Sequence, residues 1–359
     1  MGNCKEKVLI FRVGSLGDTV VALPAFNLVR REFCNAEIKV LTNFPVGYGD
    51  KEALLQSVFG KSALVDGYYN YSTGRGNLRG LLSLVRDIRK WGVTHLVYMM
   101  PVRTKFMIFR DWIFFKYIIG ISVMFGISFS KKNQIHLYDE LTGLYEFEAQ
   151  RILRNLSKLG TINLDQSSFD LGILPDEVLL LPKIINPKFR KIKYIACCVG
   201  TKWNSKDWGK ERWSRLMERI SIKYPDLGLI MIGSGDEFSV SNEVKSSWDG
   251  LSQNLCGKLT IRESAEILRN ACCYLGHDSG PMHLAYSVQT PCISVFSAQG
   301  KPGVWFPIGS QHKILYHKTE CFGCELEFCK IHNKKCIKSI SIDEVFDAAN
   351  GVLKEKCVE

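Results

Sequence analysis

The sequence lacks the marks of several protein classes. It has no internal repeat and no low-complexity tract, and of its 359 residues 46% are hydrophobic and 23% charged. These proportions exclude a collagen-like fibre, a largely disordered chain and a small scaffold held by disulfides. A secretory signal is also missing from the start, because the apolar stretch at residues 8–13 is short and is broken by Arg12.

No long apolar run is free of charge. The one candidate for a membrane span, residues 106–129, is interrupted by Arg110, Asp111 and Lys116. A transmembrane helix needs about 20 mostly apolar residues, and each central charge costs about 2.5–3.5 kcal/mol on insertion scales. We therefore expect a core helix of the first domain here, with contact to a membrane surface as the alternative.

Basic residues and cysteines are abundant instead. Lys and Arg number 47 against 36 Asp and Glu, and the net charge of +11 favours an anionic partner: a nucleotide, a phosphorylated lipid, a membrane surface or nucleic acid. The 13 cysteines are scattered, and pairs such as Cys197-Cys198 and Cys272-Cys273 stand in apolar runs. They are typical of buried thiols in a reducing compartment, and their odd number argues against complete pairing.

Strand and helix patterns alternate twice along the chain. Residues 8–11 form a continuous apolar run, as expected for a strand buried on both faces of a parallel sheet, and the same order restarts at residues 194–199. The sequence predicts an α/β protein with two doubly wound domains, at 1–182 and 183–342, and a carboxyl-terminal helix at 343–359. Such folds bind ligands at the carboxyl ends of their strands, so we expect the site in the cleft between the domains.

The first candidate loop, Gly14-Ser15-Leu16-Gly17-Asp18, directly follows the first predicted strand. It lacks the third glycine of a dinucleotide-binding fingerprint. On the acceptor side of a transfer reaction, such a loop presents Asp18 as a general base. The alternative is that Asp18 only caps the next helix, which its residue type favours.

The second candidate loop, Asp278-Ser279-Gly280-Pro281-Met282-His283, joins a predicted strand to a helix. Pro281 suits the first helical position, and Gly280 permits close approach to the backbone. The free N–H groups and the helix dipole then suit a pyrophosphate. An ordinary helix cap by Asp278 or Ser279 is the alternative.

Two further loops offer groups for a nucleotide. A lysine in residues 201–208 that reaches a leaving phosphate would stabilise the charge that develops there, although a solvated basic loop explains it equally well. The turn at residues 233–237 suits a ribose or a base edge, or serves only as a turn with a helix cap. The candidate side chains are Thr201, Lys202, Lys206, Asp236 and Glu237.

Four late cysteines have the spacing Cys-x2-Cys-x4-Cys-x6-Cys. Four thiolates at such short spacing can hold zinc tetrahedrally, although this is not the spacing of a standard paired-knuckle site. Structural thiols or a labile disulfide are the alternatives. The residues are Cys321, Cys324, Cys329 and Cys336.

Taken together, these segments resemble glycosyltransferase family 9, the ADP-heptose:lipopolysaccharide heptosyltransferases. The late cysteines are also similar to those of many members. The similarity extends along nearly the whole chain and is weakest at residues 45–175. The segments that carry it are residues 8–18 with Pro24, 201–208, 233–237, 256–260 and Asp278-Ser279-Gly280-x-x-His283.

The resemblance implies a GT-B fold, in which two Rossmann-like domains face a central cleft. The amino-terminal domain would bind the acceptor and the carboxyl-terminal domain the nucleotide sugar. The implied reaction is an inverting transfer of heptose from ADP-heptose to the phosphorylated lipid A–Kdo inner core, without a metal or other cofactor.

The resemblance also assigns roles by position. Asp18 matches the general base, within an acceptor-side loop that includes Gly14, Ser15 and Gly17. On the donor side the matching residues are Thr201 and Lys206 at the phosphates, Asp236 or Glu237 at the nucleoside, Leu259 at the adenine, Asp278 at the sugar hydroxyls, Ser279 and Gly280 at the pyrophosphate, and His283 in the same signature.

Two positions depart from the family pattern. Gly209 stands where members often have proline, and His277 stands where a small polar residue is common. These departures leave open another nucleotide sugar or glycan acceptor on the same fold, or a non-catalytic nucleotide-sugar-binding protein. We expect a cytoplasmic protein that lies peripherally on the inner face of the cytoplasmic membrane, with the basic residues of 103–116 near that surface. No recognition motif supports a nucleic-acid partner.

Overall fold

The chain divides into two compact units. The first unit comprises Met1–Leu141 and Tyr145–Gly172, and the second comprises Thr142–Leu144 and Ile173–Glu359. The predicted boundary between residues 182 and 183 lies outside the described residues. The computed structural model describes residues 6–43, 54–60, 62–71, 78–173, 184–330 and 332–357.

The described strands of the first unit's main sheet are β1 (Lys7–Phe11), β2 (Glu37–Asn43), β3 (Gly67–Tyr71), β4 (His95–Tyr98) and β5 (Val123–Phe125). They form a parallel sheet in the order β3-β2-β1-β4-β5. Val8, Leu9 and Ile10 of β1 are fully buried, as predicted for a strand covered on both faces. Because β1 pairs with both β2 and β4, the loops after β1 and β4 meet at the carboxyl edge, where such sheets bind ligands.

Helices surround this sheet. Pro24 lies in the first turn of the second helix, where its missing N–H is not needed. The fifth helix continues into a π-helical segment, Phe114–Ile119. The helices are α1 (Leu16–Val21), α2 (Leu23–Glu32), α3 (Leu54–Phe59), α4 (Leu78–Trp91), α5 (Lys105–Ile113) and α6 (Glu148–Asn155), and β6 (Tyr138–Asp139) and β7 (Leu144–Tyr145) are two-residue strands.

The described strands of the second unit's sheet are β8 (Tyr194–Cys198), β9 (Gly228–Met231), β10 (Ser252–Asn254), β11 (Tyr274–His277), β12 (Cys292–Phe296) and β13 (Lys313–Tyr316). They are parallel, in the order β10-β9-β8-β11-β12-β13. β8, β9, β11 and β12 are buried throughout. The loops after β8, β9 and β11 therefore lie at one edge of a rigid platform.

The helices of the second unit are α7 (Lys210–Lys223), α8 (Phe238–Lys245), α9 (Ile261–Arg269), α10 (Gly280–Ser287), α11 (Lys335–Lys338) and α12 (Ile342–Cys357). A capping box formed by Thr260 and Glu263 begins α9. The terminal helix α12 packs against α7, β12 and β13 and buries Val345, Ala349 and Leu353. It is part of the core of the second unit.

Each helix in the described part of the chain is too short or too polar to cross a lipid bilayer. The segment at residues 106–129, weighed as a membrane span from the sequence, instead contains most of α5, the π-helical segment and β5.

Candidate active site

The loop between β1 and α1 holds the Asp18 carboxylate firmly. Asp18 Oδ2 accepts hydrogen bonds from the Ser15 backbone N–H at 2.7 Å and from Ser15 Oγ at 2.6 Å. A Cβ at Gly14 would lie 2.5 Å from Asp18 Cβ, so only glycine fits there. Asp18 thus takes part in the capping box of α1 while its side chain remains 22% exposed. Helix capping and a reactive role are compatible in this geometry.

The buried side chain of Arg12 supports this loop. In the sequence, Arg12 was noted only as a break in an apolar run. Its side chain is fully buried, and it donates to the Met99 carbonyl at 2.6 Å and to the Asp18 carbonyl at 2.5 Å. The guanidinium also lies 3.9 Å from Asp18 Oδ1. The feature of the sequence that could have indicated this role is a cation directly after a buried strand. Arg12 ties the loop after β1 to the loop after β4.

In the second unit, the loops after β8 and β11 bring Lys206, Asp278 and His283 together. Lys206 Nζ donates to Asp278 Oδ2 at 2.6 Å, and His283 Nε2 lies 3.7 Å from Asp278 Oδ1. Lys206 Nζ also lies 5.5 Å from the centre of the Trp203 ring. The His283 ring makes an edge contact with Trp305, another residue that the sequence reasoning missed.

This cluster is charged and almost enclosed. Burial opposes ionisation of Asp278, but the Lys206 charge and the nearby His283 ring hold the pKa of the carboxyl well below its usual range. Asp278 is therefore an anion at neutral pH, and Lys206 supplies a fixed positive charge beside it. A diphosphate entering here would meet a lysine that is already positioned.

Helix α10 begins beside this cluster. Ser279 is its N-cap, yet among the described residues the Ser279 side chain makes no capping hydrogen bond with the first turn. Pro281 lies in the first turn but at the second helical position, one residue later than predicted, and Asp278 points to Lys206. Backbone N–H groups at a helix start, together with the dipole, favour an anion.

His277, noted in the sequence only as a departure, holds the lysine loop in place. Its Nε2 accepts the Trp208 backbone N–H at 3.0 Å and Trp213 Nε1–H at 3.2 Å. Burial lowers the pKa of the ring to about 4, so His277 is neutral and can accept both bonds. Lys206 lies two residues before Trp208, so the hydrogen bonds to His277 set the direction in which the lysine side chain points.

Gly209, the other departure, has a backbone that proline cannot adopt. Its φ is +110°, whereas a proline ring fixes φ near −65°. Its N–H also donates to Asp207 Oδ1 at 3.0 Å, and proline has no such donor. The glycine therefore sets the entry of α7 in this chain.

The nucleoside candidates lie in the loops after β8, β9 and β10. Glu237 accepts the Ser234 backbone N–H at 2.7 Å and packs where a Cβ on Gly200 or Gly233 would overlap its carboxylate. Burial raises the pKa of Glu237. Asp236 is exposed, whereas Thr201 and Leu259 are half-buried. Glu237 is thus built into the edge of the sheet, while Asp236 faces solvent.

The four late cysteines line one small cavity together with His332. All four are free thiols, and Cys329 Sγ accepts the Lys334 backbone N–H at 3.3 Å. Within the described residues, no group of three or more His, Cys, Asp or Glu side chains is arranged to hold a metal ion. The cysteines are Cys321, Cys324, Cys329 and Cys336.

Comparison with a solved structure defines the fold. The structure of Escherichia coli ADP-heptose lipopolysaccharide heptosyltransferase II matches with a TM-score of 0.70 over 97% of this chain and 99% of that one, at 13% identity. The two parallel sheets described above thus form the GT-B fold of glycosyltransferases.

Sequence comparisons indicate which family of glycosyltransferases the chain resembles. Residues 162–335 match the model of glycosyltransferase family 9 (heptosyltransferase). Lipopolysaccharide heptosyltransferase 3 of Escherichia coli K12 is 23% identical over 94% of this chain and 96% of its own length. Lipooligosaccharide heptosyltransferase 2 of Campylobacter jejuni is 28% identical, but that match spans 28% of this chain and 32% of the relative. Residues 162–335 are thus similar to glycosyltransferase family 9, and these relatives indicate that the chain is a transferase.

Proposed function

We propose that the protein transfers a heptose from ADP-heptose to the phosphorylated lipid A–Kdo inner core of lipopolysaccharide, with inversion and without a catalytic metal. The observation that carries the proposal is the cluster of Lys206, Asp278 and His283 at the start of α10. It combines a cation, an ionised carboxylate and a helix N-terminus, as a diphosphate-linked sugar requires. The family and the names of the relatives support the heptose.

On the donor side, Lys206, Thr201 and the backbone at Ser279 and Gly280 bind the diphosphate. Negative charge develops on the leaving diphosphate during transfer, and the lysine and the helix dipole stabilise it in place of a metal. When the donor binds, Lys206 turns from Asp278 alone to a position shared with a phosphate. Asp278 then accepts hydrogen bonds from the sugar hydroxyls.

The nucleoside occupies the neighbouring loops. Glu237 or Asp236 binds the ribose, and Leu259 packs against the adenine. The exposed position of Asp236 suits a direct hydrogen bond to a ligand, whereas the half-buried Glu237 carboxylate fills the space beside Gly200 and Gly233. His283 orients Asp278 from the side away from Lys206.

On the acceptor side, Asp18 is the general base. It removes the proton from the attacking acceptor hydroxyl, which then forms the new bond to the anomeric carbon from the face opposite the diphosphate. The two hydrogen bonds from Ser15 and the backbone support from Arg12 orient the carboxylate for this step. We propose that the enzyme works in the cytoplasm at the inner membrane face, where a lipid-linked acceptor is found.

A donor panel tests the proposal. The purified protein is incubated with a lipid A–Kdo acceptor and ADP-heptose, or with ADP-, UDP- and GDP-linked hexoses, each with and without a chelator. We expect turnover with ADP-heptose alone, unchanged by the chelator, and a product whose anomeric configuration is inverted by NMR. Preference for another nucleotide sugar would replace the donor, and donor binding without any turnover would replace the enzyme by a binding protein.

A further inference from the structure

The helical segment at residues 105–119 carries large apolar side chains on both of its faces. Ile108, Asp111, Phe115 and Ile119 form an inner row that is buried against the first unit. Their spacing of three or four residues is that of one helix face. An amphipathic helix would carry polar residues on the opposite face.

The opposite face instead carries an outer stripe, which we define as Phe106, Phe109, Ile113 and Tyr117. The spacing of this stripe repeats that of the buried row. Phe106 is 75% exposed, Phe109 49% and Tyr117 65%. Large apolar side chains rarely stand exposed in a row unless they bind something.

Aromatic contacts join the outer stripe to its surroundings. The Trp112 ring stacks on Phe109 with centroids 6.0 Å apart and meets Tyr117 edge-on at 5.5 Å. It also contacts Phe129 at 6.4 Å, and the Phe129 side chain is itself 44% exposed. The neighbouring helix α4, which packs against the π-helical segment, exposes further leucines. They are Leu78, Leu81 and Leu82.

The charges around the outer stripe have one sign. Lys105, Arg110 and Lys116 are distributed along the segment, and the Arg110 side chain is 58% exposed. The single acid of the segment, Asp111, is buried and bonded to Arg110 and to the Tyr98 hydroxyl. The outward face therefore combines aromatic side chains with cations and presents no carboxylate.

We propose that the outer stripe docks on an anionic lipid bilayer, with its aromatic side chains at the level of the headgroups. Aromatic side chains favour the membrane–water interface, and flanking cations add attraction to anionic lipids. These cations favour an anionic bilayer over a second copy of the chain as the partner. Because the chain is basic, a second copy would bring like charges together. The inference rests on the proposed function, because a lipid-linked acceptor lies at such a surface.

Sedimentation with lipid vesicles tests the proposal on the full chain. One set of vesicles is phosphatidylcholine, and the other contains 30% phosphatidylglycerol, a composition chosen to set the surface charge. The double variant Phe106→Ser/Phe109→Ser is compared with Ile222→Ser, which changes a side chain of 71% exposure on α7 of the second unit. We expect the wild type and Ile222→Ser to bind anionic vesicles, and the double variant to bind them at least about tenfold more weakly.

A charge variant and an activity readout complete the design. Lys105→Glu/Lys116→Glu is expected to remove the preference for anionic vesicles and to reduce the salt dependence of binding. Turnover of donor with an acceptor dispersed in detergent is expected to stay unchanged in both double variants. If vesicle binding persists but no protein, including the wild type, shows turnover, the proposed function is overturned.

Two results would overturn the docking surface itself. One is equal vesicle binding by the wild type and the Phe106→Ser/Phe109→Ser variant. The other is a concentration-dependent dimer of the wild type, seen by sedimentation velocity, that the same variant abolishes, because the outer stripe would then contact a second copy of the chain.

Discussion

Asp18 shows how one side chain serves both its helix and the proposed reaction. Both of its bonds from Ser15 go to the same oxygen, Oδ2. The other oxygen lies toward Arg12 and is the one that remains for a ligand. The sequence predicted Asp18 as a site residue because its position directly after a buried strand is visible in the sequence. The support from Arg12 could not be predicted in the same way, because it depends on where the fold places Met99.

Replacing Asp18 separates the two roles. Asp18→Asn keeps an oxygen that accepts from Ser15, so the loop is expected to hold its shape and the donor affinity to change less than about twofold. The turnover number is expected to fall about 10²- to 10⁴-fold, because asparagine cannot take up the proton. Steady-state kinetics and isothermal titration with ADP measure the two effects.

Ser15→Ala is the matched control for this variant. It removes one donor to Oδ2 and leaves the carboxylate, so we expect a loss of turnover of less than about tenfold. Wild-type turnover in Asp18→Asn would exclude Asp18 as the base.

The cluster of the second unit was only partly foreseeable from single residues. Lys206 and Asp278 are 72 positions apart, and each was a candidate by its own loop. Their direct pairing follows from the parallel order of β8 and β11, which brings the two loops to one edge. The role of His277 could not be read from its position, because it depends on where Trp208 and Trp213 fold back.

Among the elements, the loops after β8 and β9 are shaped around the Glu237 carboxylate. Gly200→Ala adds a Cβ that overlaps this carboxylate, so we expect stability to fall by about 1–3 kcal/mol and donor affinity by about tenfold. Gly235→Ala is the matched control, since its Cβ would meet Gly257 Cα at an ordinary 3.9 Å. Chemical unfolding and ADP titration measure both variants, and equal effects in the two would show that the overlap is relieved without cost.

Helix α6 contains a buried ion pair, and the arginine of this pair also bonds to the loop after β4. Arg151 donates to both oxygens of Glu148 at 2.7 Å and to the Met100 carbonyl at 2.9 Å. Burial opposes ionisation of Glu148, but hydrogen bonds from Arg151 and His136 lower its pKa to about 2. The stabilisation is therefore complete above the unfolded pKa of about 4.3 and is lost as the pH falls through about 2.

Glu148→Gln tests this linkage. The variant leaves the Arg151 charge buried without its anion, so we expect about 3–5 kcal/mol lower stability at pH 7. The difference from the wild type should shrink when urea unfolding is repeated at pH 4, 3 and 2. Glu243→Gln is the control, because the Glu243 side chain and its Lys210 partner are 54% and 49% exposed, and we expect it to cost less than about 1 kcal/mol. A pH-independent difference for Glu148→Gln would contradict the assignment.

At the scale of the whole molecule, the alternation of strands and helices was sufficient to predict an α/β protein. Short apolar runs such as residues 8–11 and 194–199 are reliable because strands buried on both faces tolerate few polar residues. The segment at residues 106–129 was harder. Its hydrophobicity predicted a core helix, and the inner row bears this out, but the sequence could not show that the other face is left exposed.

Hydrogen exchange tests how the two units divide the substrates. We expect ADP to increase amide protection most in the second unit, at residues 200–208, 233–237 and 278–283, because a ligand stabilises the state that it binds. The loop at residues 14–18 should change least with ADP alone. Protection that is greatest at residues 14–18 would assign the nucleotide to the first unit and reverse the proposed roles.

The buried imidazole of His277 has a consequence for how activity depends on acidity. Because Nε2 accepts two N–H groups, the ring proton must reside on Nδ1, and this tautomer is fixed by the fold. The ring could take up a second proton only after both hydrogen bonds break. Mild acidification is therefore expected to leave the contact between His277 and the lysine loop unchanged. An inflection near pH 6.5 in the rate profile would therefore have to come from a different group.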